Sequence, residues 1–332
     1  MTTMTTRTAN RHAVARSRPW IRKQWGHEKS RLLRVLDRYA AEFRAGCISQ
    51  PITTPVASAL AGYRNRVPAE EWRETVARDL RPHPIIPLLH QDPYSSYGFR
   101  KPRGYPGDAV LLDFMYGGGA SSELVKAASH VGAVLYDECR RHPSFAAVRG
   151  RRDYLAQRLG ALCESGRPHI LSVACGHMRE AAMLDAANAA TRPGRFVALD
   201  QDAVTLQVVR ADHAVLSPEP VQASVLALLR SGHEIGTFDF IYSAGLYDYL
   251  SDDVARRLTV RLAGMLKPNG CLLVANMLPN LPAAGYMETV MDWWLIYRTI
   301  RQLRSVSGDV RAATVIAHRR PHVGYIEIVN GK

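Results

Sequence analysis

The sequence predicts an α/β protein: a doubly wound, mostly parallel sheet closed by an antiparallel C-terminal hairpin, preceded by a mostly helical N-terminal half. Three observations carry the prediction. From residue 168, short apolar runs alternate with helical stretches of about 10–15 residues, the texture of βαβ units. Residues 313–330, "ATVIAHRRPHVGYIEIVN", break that alternation, because two strands joined by a short turn around Arg320–His322 must run antiparallel. Residues 28–164 instead place apolar residues at helical spacing, interrupted by one Pro-rich passage.

Taken in order, residues 28–45 carry Leu32, Leu33, Val35, Leu36, Tyr39 and Phe43 near helical spacing, and a second helix runs through 69–80, entered after Pro68. The prolines and glycines of residues 81–110 forbid a long regular element. Helical patterns resume across 108–117, 121–142 and 150–164. "HILSVAC" is then the first strand, "RFVALDQD" the second, "FDFIYSAG" the third and "GCLLVANML" the fourth, with helices between them. Ser251 is a suitable cap for the helix "SDDVARRLTVRLAGML". "VQASVLALL", 221–229, reads either as a strand and helix start or as a stretch lying beside a planar ring. "MDWWLIYRT", 291–299, reads as an amphipathic helix.

Composition bounds the class. The 332 residues are 47% hydrophobic and 22% charged, ordinary for a globular protein with a sizeable core. The net charge of +13 is uneven: residues 1–35 hold Arg7, Arg11, Arg16, Arg18, Arg22, Lys23, Lys29, Arg31 and Arg34 against Glu28 alone. Residues 1–27 therefore read as a basic, disordered tail. Trp20 and Trp25 are its only aromatic residues, weak support for RNA binding. Cys47, Cys139, Cys163, Cys175 and Cys271 are odd in number and form no CxxC pair, which disfavours a disulfide framework and a zinc knuckle. Reduced thiols, the lack of an apolar run long enough to span a membrane and the lack of a secretory apolar segment give a cytoplasmic expectation. The Arg-rich, acid-poor start also has a transit-peptide composition.

Two loops hold the chemistry. "ILSVACGHMRE", 170–180, is a strand entering a tight turn with one glycine. Ala174 and Gly176 are small enough for backbone N–H groups to approach a ligand, and the strand's end faces the crevice of a doubly wound fold. The loop is a poor match to a pyrophosphate cradle, while a cofactor with a carboxylate and no phosphate tolerates it. Asp200, with Gln201 beside it, ends the second strand 24 positions after Gly176, a spacing that suits a pair of ribose hydroxyls. In "FDFIYSAGLYDYLSDD", 238–253, Tyr247, Asp248 and Tyr249 are polar and clustered where cofactor and substrate would meet. "KPRGYPGD", 101–108, presents Arg103, Tyr105 and Asp108 from a loop stiffened by Pro102 and Pro106; Arg103 could pair with a ligand carboxylate or with an acid of the protein. Asn276 ends the fourth strand, and Met287, Met291, Trp293, Trp294 and Tyr297, with Glu288, Asp292 and Arg298, would give an apolar pocket with a polar lining or simply core packing.

Six ordered segments then carry a resemblance: "KPRGYPGD", "ILSVACGHMRE", "FVALDQDAVTL", "FDFIYSAGLYDYLSDD", "LKPNGCLLVANM" and "YMETVMDWWLIYRT". Together they resemble the class I S-adenosylmethionine-dependent methyltransferases, and more narrowly those that make 3-hydroxy fatty acid methyl esters, over residues 85–330. The resemblance implies a Rossmann-like methyltransferase sheet in 166–332, a helical substrate or lid domain in 28–165, and S-adenosylmethionine as cofactor. It implies Ala174, Cys175, Gly176 and Glu180 around the methionine part, Asp200 and Gln201 at the ribose, Ser224 and Val225 near adenine, and Ser243, Ala244 and Gly245 at the methyl-transfer point. His177 stands where the usual loop has proline.

The acceptor stays open at this point. A carboxylate is ionised at neutral pH and needs no base, so Arg103 or His177 would only orient it. An amine, phenol or hydroxyl would call on His177, Asp248, Tyr247 or Glu288. No metal site is expected. The expected partner is a small-molecule substrate, with a homodimer left open and a membrane span not expected. Nucleic acid is disfavoured because "SAGLYDYL" is not an Asn/Asp-Pro-Pro-aromatic loop. A methyltransferase of another natural product at N or O, and a cofactor-binding regulator that does not methylate, are the competing readings.

Overall fold

The computed structural model describes residues 19–46, 51–185, 192–230, 235–308, 310 and 313–331. Residues 1–18 of the basic tail, and Cys47, lie outside the described residues. Two compact units are drawn from interleaved segments rather than from a single cut near residue 165. One comprises residues 1–107, 117–143 and 282–294, the other 108–116, 144–281 and 295–332.

The second unit is built on seven strands: β1 (His169–Val173), β2 (Arg195–Asp200), β3 (Glu219–Gln222), β4 (Phe238–Ser243), β5 (Leu266–Met277), β6 (Ala313–Arg320) and β7 (Val323–Asn330). Their order is β3-β2-β1-β4-β5-β7-β6. The first five are parallel, and β7 pairs antiparallel with both β5 and β6. This is the doubly wound, Rossmann-like sheet with a C-terminal antiparallel hairpin that the sequence predicts. Strands covered on both faces read as near-continuous apolar runs, as "HILSV" and "RFVALD" do. The strand β3 shows in the sequence only as one of two readings of 221–229, because "EPVQ" is short, half-exposed and contains Pro220, which only an edge strand tolerates.

On one side of the sheet, Leu171, Val173, Val197, Leu199, Ile241, Leu272 and Val274 pack with Leu258 and Leu262 of the helix Asp252–Ala263. Each such side chain contributes about 1.5–3 kcal/mol on burial. Ser251 caps that helix, its hydroxyl accepting the Val254 N–H at 3.4 Å, and Asp252 and Asp253 in the first turn suit the helix dipole.

The first unit is helical. Its first described helix spans Pro19–Arg44, so residues 19–27, assigned by composition to the tail, are helical; Leu32, Leu36, Ala40 and Phe43 form its buried stripe. Residues 69–80 are helical, with a π-type last turn at Val76–Leu80. The Pro-rich passage holds only short helices, Ile85–Leu89 and Pro93–Arg100, the second capped by Asp92. The expected helix over 121–142 is two, Ser122–Lys126 and His130–Arg141, the second started by the Ser129 cap.

"MDWWLIYRT" is not a helix, which corrects the sequence expectation. The helix Ala284–Val290 stops there, Asp292 adopts φ +48°, and the Trp293 N–H turns back to the Met287 carbonyl. Further on, the Ile296 and Arg298 N–H groups donate to the carbonyls of Asp248 and Met277. The helical pattern of side chains is overridden because these N–H groups find partners far away in sequence.

Gly285 packs directly against the helix Thr53–Arg64: a Cβ there would lie 2.9 Å from the Leu60 carbonyl carbon and 3.0 Å from the Ala61 nitrogen. Gly285→Ala should therefore cost about 1–3 kcal/mol. The check is denaturant unfolding with hydrogen exchange, in which amides of Thr53–Arg64 and Ala284–Val290 lose protection first.

Candidate functional site

The strand order reverses between β1 and β4, and crevices of doubly wound sheets open beyond the carboxyl ends of strands at such a point. The loop leaving β1 is tightly wound. Ala174, Gly176 and Met178 have φ of +52°, +54° and +49°, and for the two residues with side chains this conformation is strained. Its backbone is held from β2: the Cys175 N–H donates to the Leu199 carbonyl at 3.0 Å, and the Gly176 N–H to Asp200 Oδ2 at 3.0 Å. The other oxygen, Asp200 Oδ1, accepts the Asp202 N–H at 3.0 Å. Burial pushes the Asp200 carboxyl up, against the pull of these N–H donors. Burial also pushes the Cys175 thiol well up, so it is not a nucleophile, and its Sγ donates to the Gly176 carbonyl.

The loop leaving β4 is tied to β1, since Ser243 Oγ donates to the Val173 carbonyl at 3.1 Å. The next carbonyl, of Ala244, accepts Nη1 of Arg151 at 2.5 Å. A Cβ on Gly245 would lie 3.8 Å from Nη2 and 3.9 Å from Nη1 of the same guanidinium.

The helix Ala109–Tyr116 runs along these loops. Asp108 caps it, accepting the Leu111 N–H at 2.8 Å. Ala109, Asp113 and Tyr116, spaced to share one face, meet three parts of the site. The Ala109 Cβ is 3.7 Å from where a Gly176 Cβ would sit. Asp113 accepts from Nε and Nη2 of Arg179 at 2.7 and 2.8 Å and lies 2.9 Å from Nδ1 of His177. Tyr116 lies near enough to Arg151 for the two to interact electrostatically.

The predicted catalytic residues fare differently from their sequence reading. His177 is buried; Asp113 holds Nδ1, while Nε2 is enclosed and has no hydrogen-bond partner among the described residues. Tyr247 points into the core and meets Thr259 at 2.9 Å, not a substrate. Asp248 is buried and accepts from Asn276 Nδ2 at 2.8 Å and the Met277 N–H at 2.7 Å; burial pushes its carboxyl up to about 6. Arg103 belongs to the helical unit rather than to the unit that holds the loops.

Among the predicted cofactor residues, Glu180 is buried and accepts the Tyr242 hydroxyl at 2.7 Å, and burial pushes its carboxyl up. Ser224 Oγ accepts the Ala227 N–H at the start of the helix Val225–Arg230, Val225 is half-buried, and Gln201 is exposed.

Among the predicted substrate residues, Tyr105, Met287, Glu288, Asp292 and Trp293 also belong to the helical unit. There Glu288 takes Arg64 in two bonds and Trp72 Nε1 in a third, and Asp292 pairs with Arg81 and Lys101. Both carboxylates are thus held in ion pairs within the protein. Arg298 and Asn276 are likewise internal ties: Arg298 Nη1 donates to Asn276 Oδ1 and Nε to Asp252. Asp108 acts as a helix cap, and Tyr297 is half-buried and outside any helix.

Sequence reasoning missed Asp113, Tyr116, Arg179 and Arg151. For Arg151 a signal existed: Val148, Arg151, Leu155 and Leu159 share the buried stripe of the helix Pro143–Glu164, so a cation stands at a core position.

No known protein family matches the chain, and no curated protein does. Among solved structures, it is similar to a possible exported protein from Bordetella parapertussis at 19% identity and a TM-score of 0.54, over 81% of this chain and 98% of that one, which shows a shared fold. Magnesium protoporphyrin IX methyltransferase from Synechocystis, with bound S-adenosylhomocysteine, aligns at 14% identity and a TM-score of 0.46, over 73% of this chain and 98% of that one. The N-methyltransferase NodS from Bradyrhizobium japonicum, in complex with the same compound, aligns at 16% identity and a TM-score of 0.41, over 58% and 90%. No described helix is long and apolar enough to cross a membrane, and the described residues hold no metal-binding cluster.

Arg179 and His177 hold the Asp113 carboxyl below its usual range, against burial, which alone would raise it. A depressed carboxyl contributes stability above the unfolded value of about 3.9, lost as the pH falls through the folded value. Asp113→Ala should cost about 3 kcal/mol at pH 7. Unfolding of the wild type and variant from pH 7 to pH 2 should show that difference shrinking at the acid end; a constant difference would refute the ion-pair account.

Proposed function

We propose that the chain is an S-adenosylmethionine-dependent methyltransferase acting on a small-molecule acceptor. One observation supports this above the others: at the point where the strand order reverses, a wound loop with Gly176 at its turn is fixed by the carboxylate that ends the second strand. The loop has one glycine, and its Cys175 and Gly176 N–H groups are already taken by the Leu199 carbonyl and the Asp200 carboxylate, unlike the free N–H groups that wrap a pyrophosphate. Each Asp200 oxygen spends one acceptor position on the backbone and keeps another for a hydroxyl donor. These features fit a nucleoside cofactor without phosphate. Asp200 would hold its ribose, Ala174 to Gly176 would lie beside its amino-acid part, and Val225 beside its base.

When bound, S-adenosylmethionine supplies a methyl group on a sulfonium, and its transfer to a carboxylate oxygen leaves a neutral thioether and releases no proton. The chain's task is then to position the acceptor in line and to exclude water. A carboxylate acceptor, giving a methyl ester, is the reading favoured by the state of the proposed bases. Tyr247 and Asp248 are committed to internal hydrogen bonds, His177 Nε2 is enclosed, and Glu288 is in an ion pair. A fatty-acid-like acid, as in the 3-hydroxy fatty acid methyl ester enzymes, belongs to this reading. The +13 charge is concentrated in the N-terminal segment rather than in the loops, so nucleic acid is the weaker acceptor class.

Calorimetric titration with S-adenosylmethionine and S-adenosylhomocysteine tests the assignment. Micromolar binding is expected, weakened at least tenfold in Asp200→Ala, since a hydrogen bond to a charged group contributes about 1.5–3 kcal/mol. Transfer of a labelled methyl group to carboxylic acids, giving a base-labile ester, should follow. Absence of cofactor binding by the wild-type protein would defeat the proposal.

A further inference from the structure

Two arginines are buried among the described residues, and their surroundings differ. Arg298, 2% exposed, is satisfied on every side. Its Nε and Nη2 donate to Asp252, Nη1 to the Tyr247 carbonyl and Asn276 Oδ1, and Nη2 also to the Leu250 carbonyl. Arg151, 4% exposed, donates Nη1 to the Ala244 carbonyl and has Tyr116 nearby, but forms no ion pair among the described residues. Arginine is almost never fully buried unless paired, because removing an uncompensated charge from water is expensive. Asp248 and Glu180 act on Arg151 only through space, their carboxylates being taken by Asn276 and Met277 and by Tyr242.

We propose that Arg151 is a carboxylate-binding residue, its guanidinium receiving the acid group of a ligand seated beyond the end of β4. The position supports it: Arg151 is anchored to the carbonyl that follows Ser243, beside the point where the strand order reverses. At Gly245 the loop places no side chain over Nη1 and Nη2, which a Cβ there would meet at 3.9 and 3.8 Å. The guanidinium fork matches a carboxylate in two parallel hydrogen bonds, and Tyr116 lies near enough to act on it electrostatically. The inference rests on the methyltransferase reading of the same loops, under which the acid belongs either to the acceptor or to the amino-acid part of the cofactor.

The test compares wild type, Arg151→Gln and Arg151→Lys, each first checked for folding by its thermal transition. Four probes are titrated: S-adenosylhomocysteine, 5′-methylthioadenosine, which lacks the amino-acid carboxylate, octanoate and methyl octanoate. If the acid is the cofactor's, Arg151→Gln weakens S-adenosylhomocysteine at least tenfold and leaves methylthioadenosine unchanged. If it is the acceptor's, octanoate is weakened at least tenfold and S-adenosylhomocysteine is not. In both cases Arg151→Lys, which keeps the charge without the fork, falls between. Unchanged binding of both acids overturns the proposal, as does an equal loss of S-adenosylhomocysteine and methylthioadenosine, which marks a structural role. A wild-type protein that binds neither nucleoside defeats the methyltransferase reading instead, and octanoate then decides Arg151 by itself: Arg151-dependent binding supports the residue, any other result overturns it. Should neither variant fold, the Nε–Hε resonance of Arg151 in the wild type carries the test. It must shift with an acid and not with its carboxylate-free counterpart; no shift with either acid overturns the proposal.

Discussion

The carboxylate of Asp200 accepts one backbone N–H from the loop after β1 and another from the turn after β2, and the carboxyl end of the sheet is organised around that pair of bonds. It helps to hold Ala174 and Met178 in a positive-φ conformation that costs residues with side chains on the order of 1 kcal/mol or more each. With it, the loop stays wound and its far side becomes available to the helix Ala109–Tyr116. That helix uses three positions of a single face, and each does a different job: Ala109 allows close approach, Asp113 neutralises Arg179 and steers His177, and Tyr116 stands by Arg151. A strand-end acid, a strained turn and a short helix thus form one mechanical assembly.

What was legible in the sequence is what depends on neighbours in the chain. The apolar runs of β1, β2, β4 and β5, the C-terminal hairpin and the Ser251 cap each declare themselves within a few residues, because side-chain alternation and capping are local physics. The nearness of Gly176 and Asp200 was legible for a related reason, a fixed spacing that brings the ends of adjacent parallel strands together, but Asp200 was read there for a ribose and not for its bond to the Gly176 N–H. "MDWWLIYRT" was misread because helical spacing says where side chains can pack and nothing about where backbone N–H groups go. The Ile296 N–H goes to Asp248, 48 positions earlier.

The same limit explains the misplaced polar residues. Polarity and clustering drew attention to Tyr247, Asp248, Glu288 and Arg298, yet a cluster of polar residues beside apolar ones can equally be a buried, self-satisfied network. Sequence alone does not reveal that Tyr247 meets Thr259 or that Glu288 meets Arg64 and Trp72. Arg151 presents the opposite case: it drew no attention in the sequence, although its place on the apolar stripe marked it as buried.

The pattern of satisfaction in the sheet-bearing unit also constrains its chemistry. Three polar groups lie beyond the parallel strands: Asp113 with His177, Arg179 and Asp212, Asp248 with Asn276, and Glu180 with Tyr242. In each the carboxylate is taken by the protein's own donors, and His177 Nε2, which has no partner among the described residues, is enclosed. A general base must leave its accepting atom within reach of a ligand proton, and a carboxylate or imidazole already committed to its own protein does not. A buried cation short of an anion, by contrast, acts through position and charge and exchanges no proton. Under the proposed methyl transfer, an end of the sheet built this way would favour acceptors that arrive already ionised. For such acceptors, holding the nucleophilic oxygen in line and shedding its water is the whole of the protein's contribution.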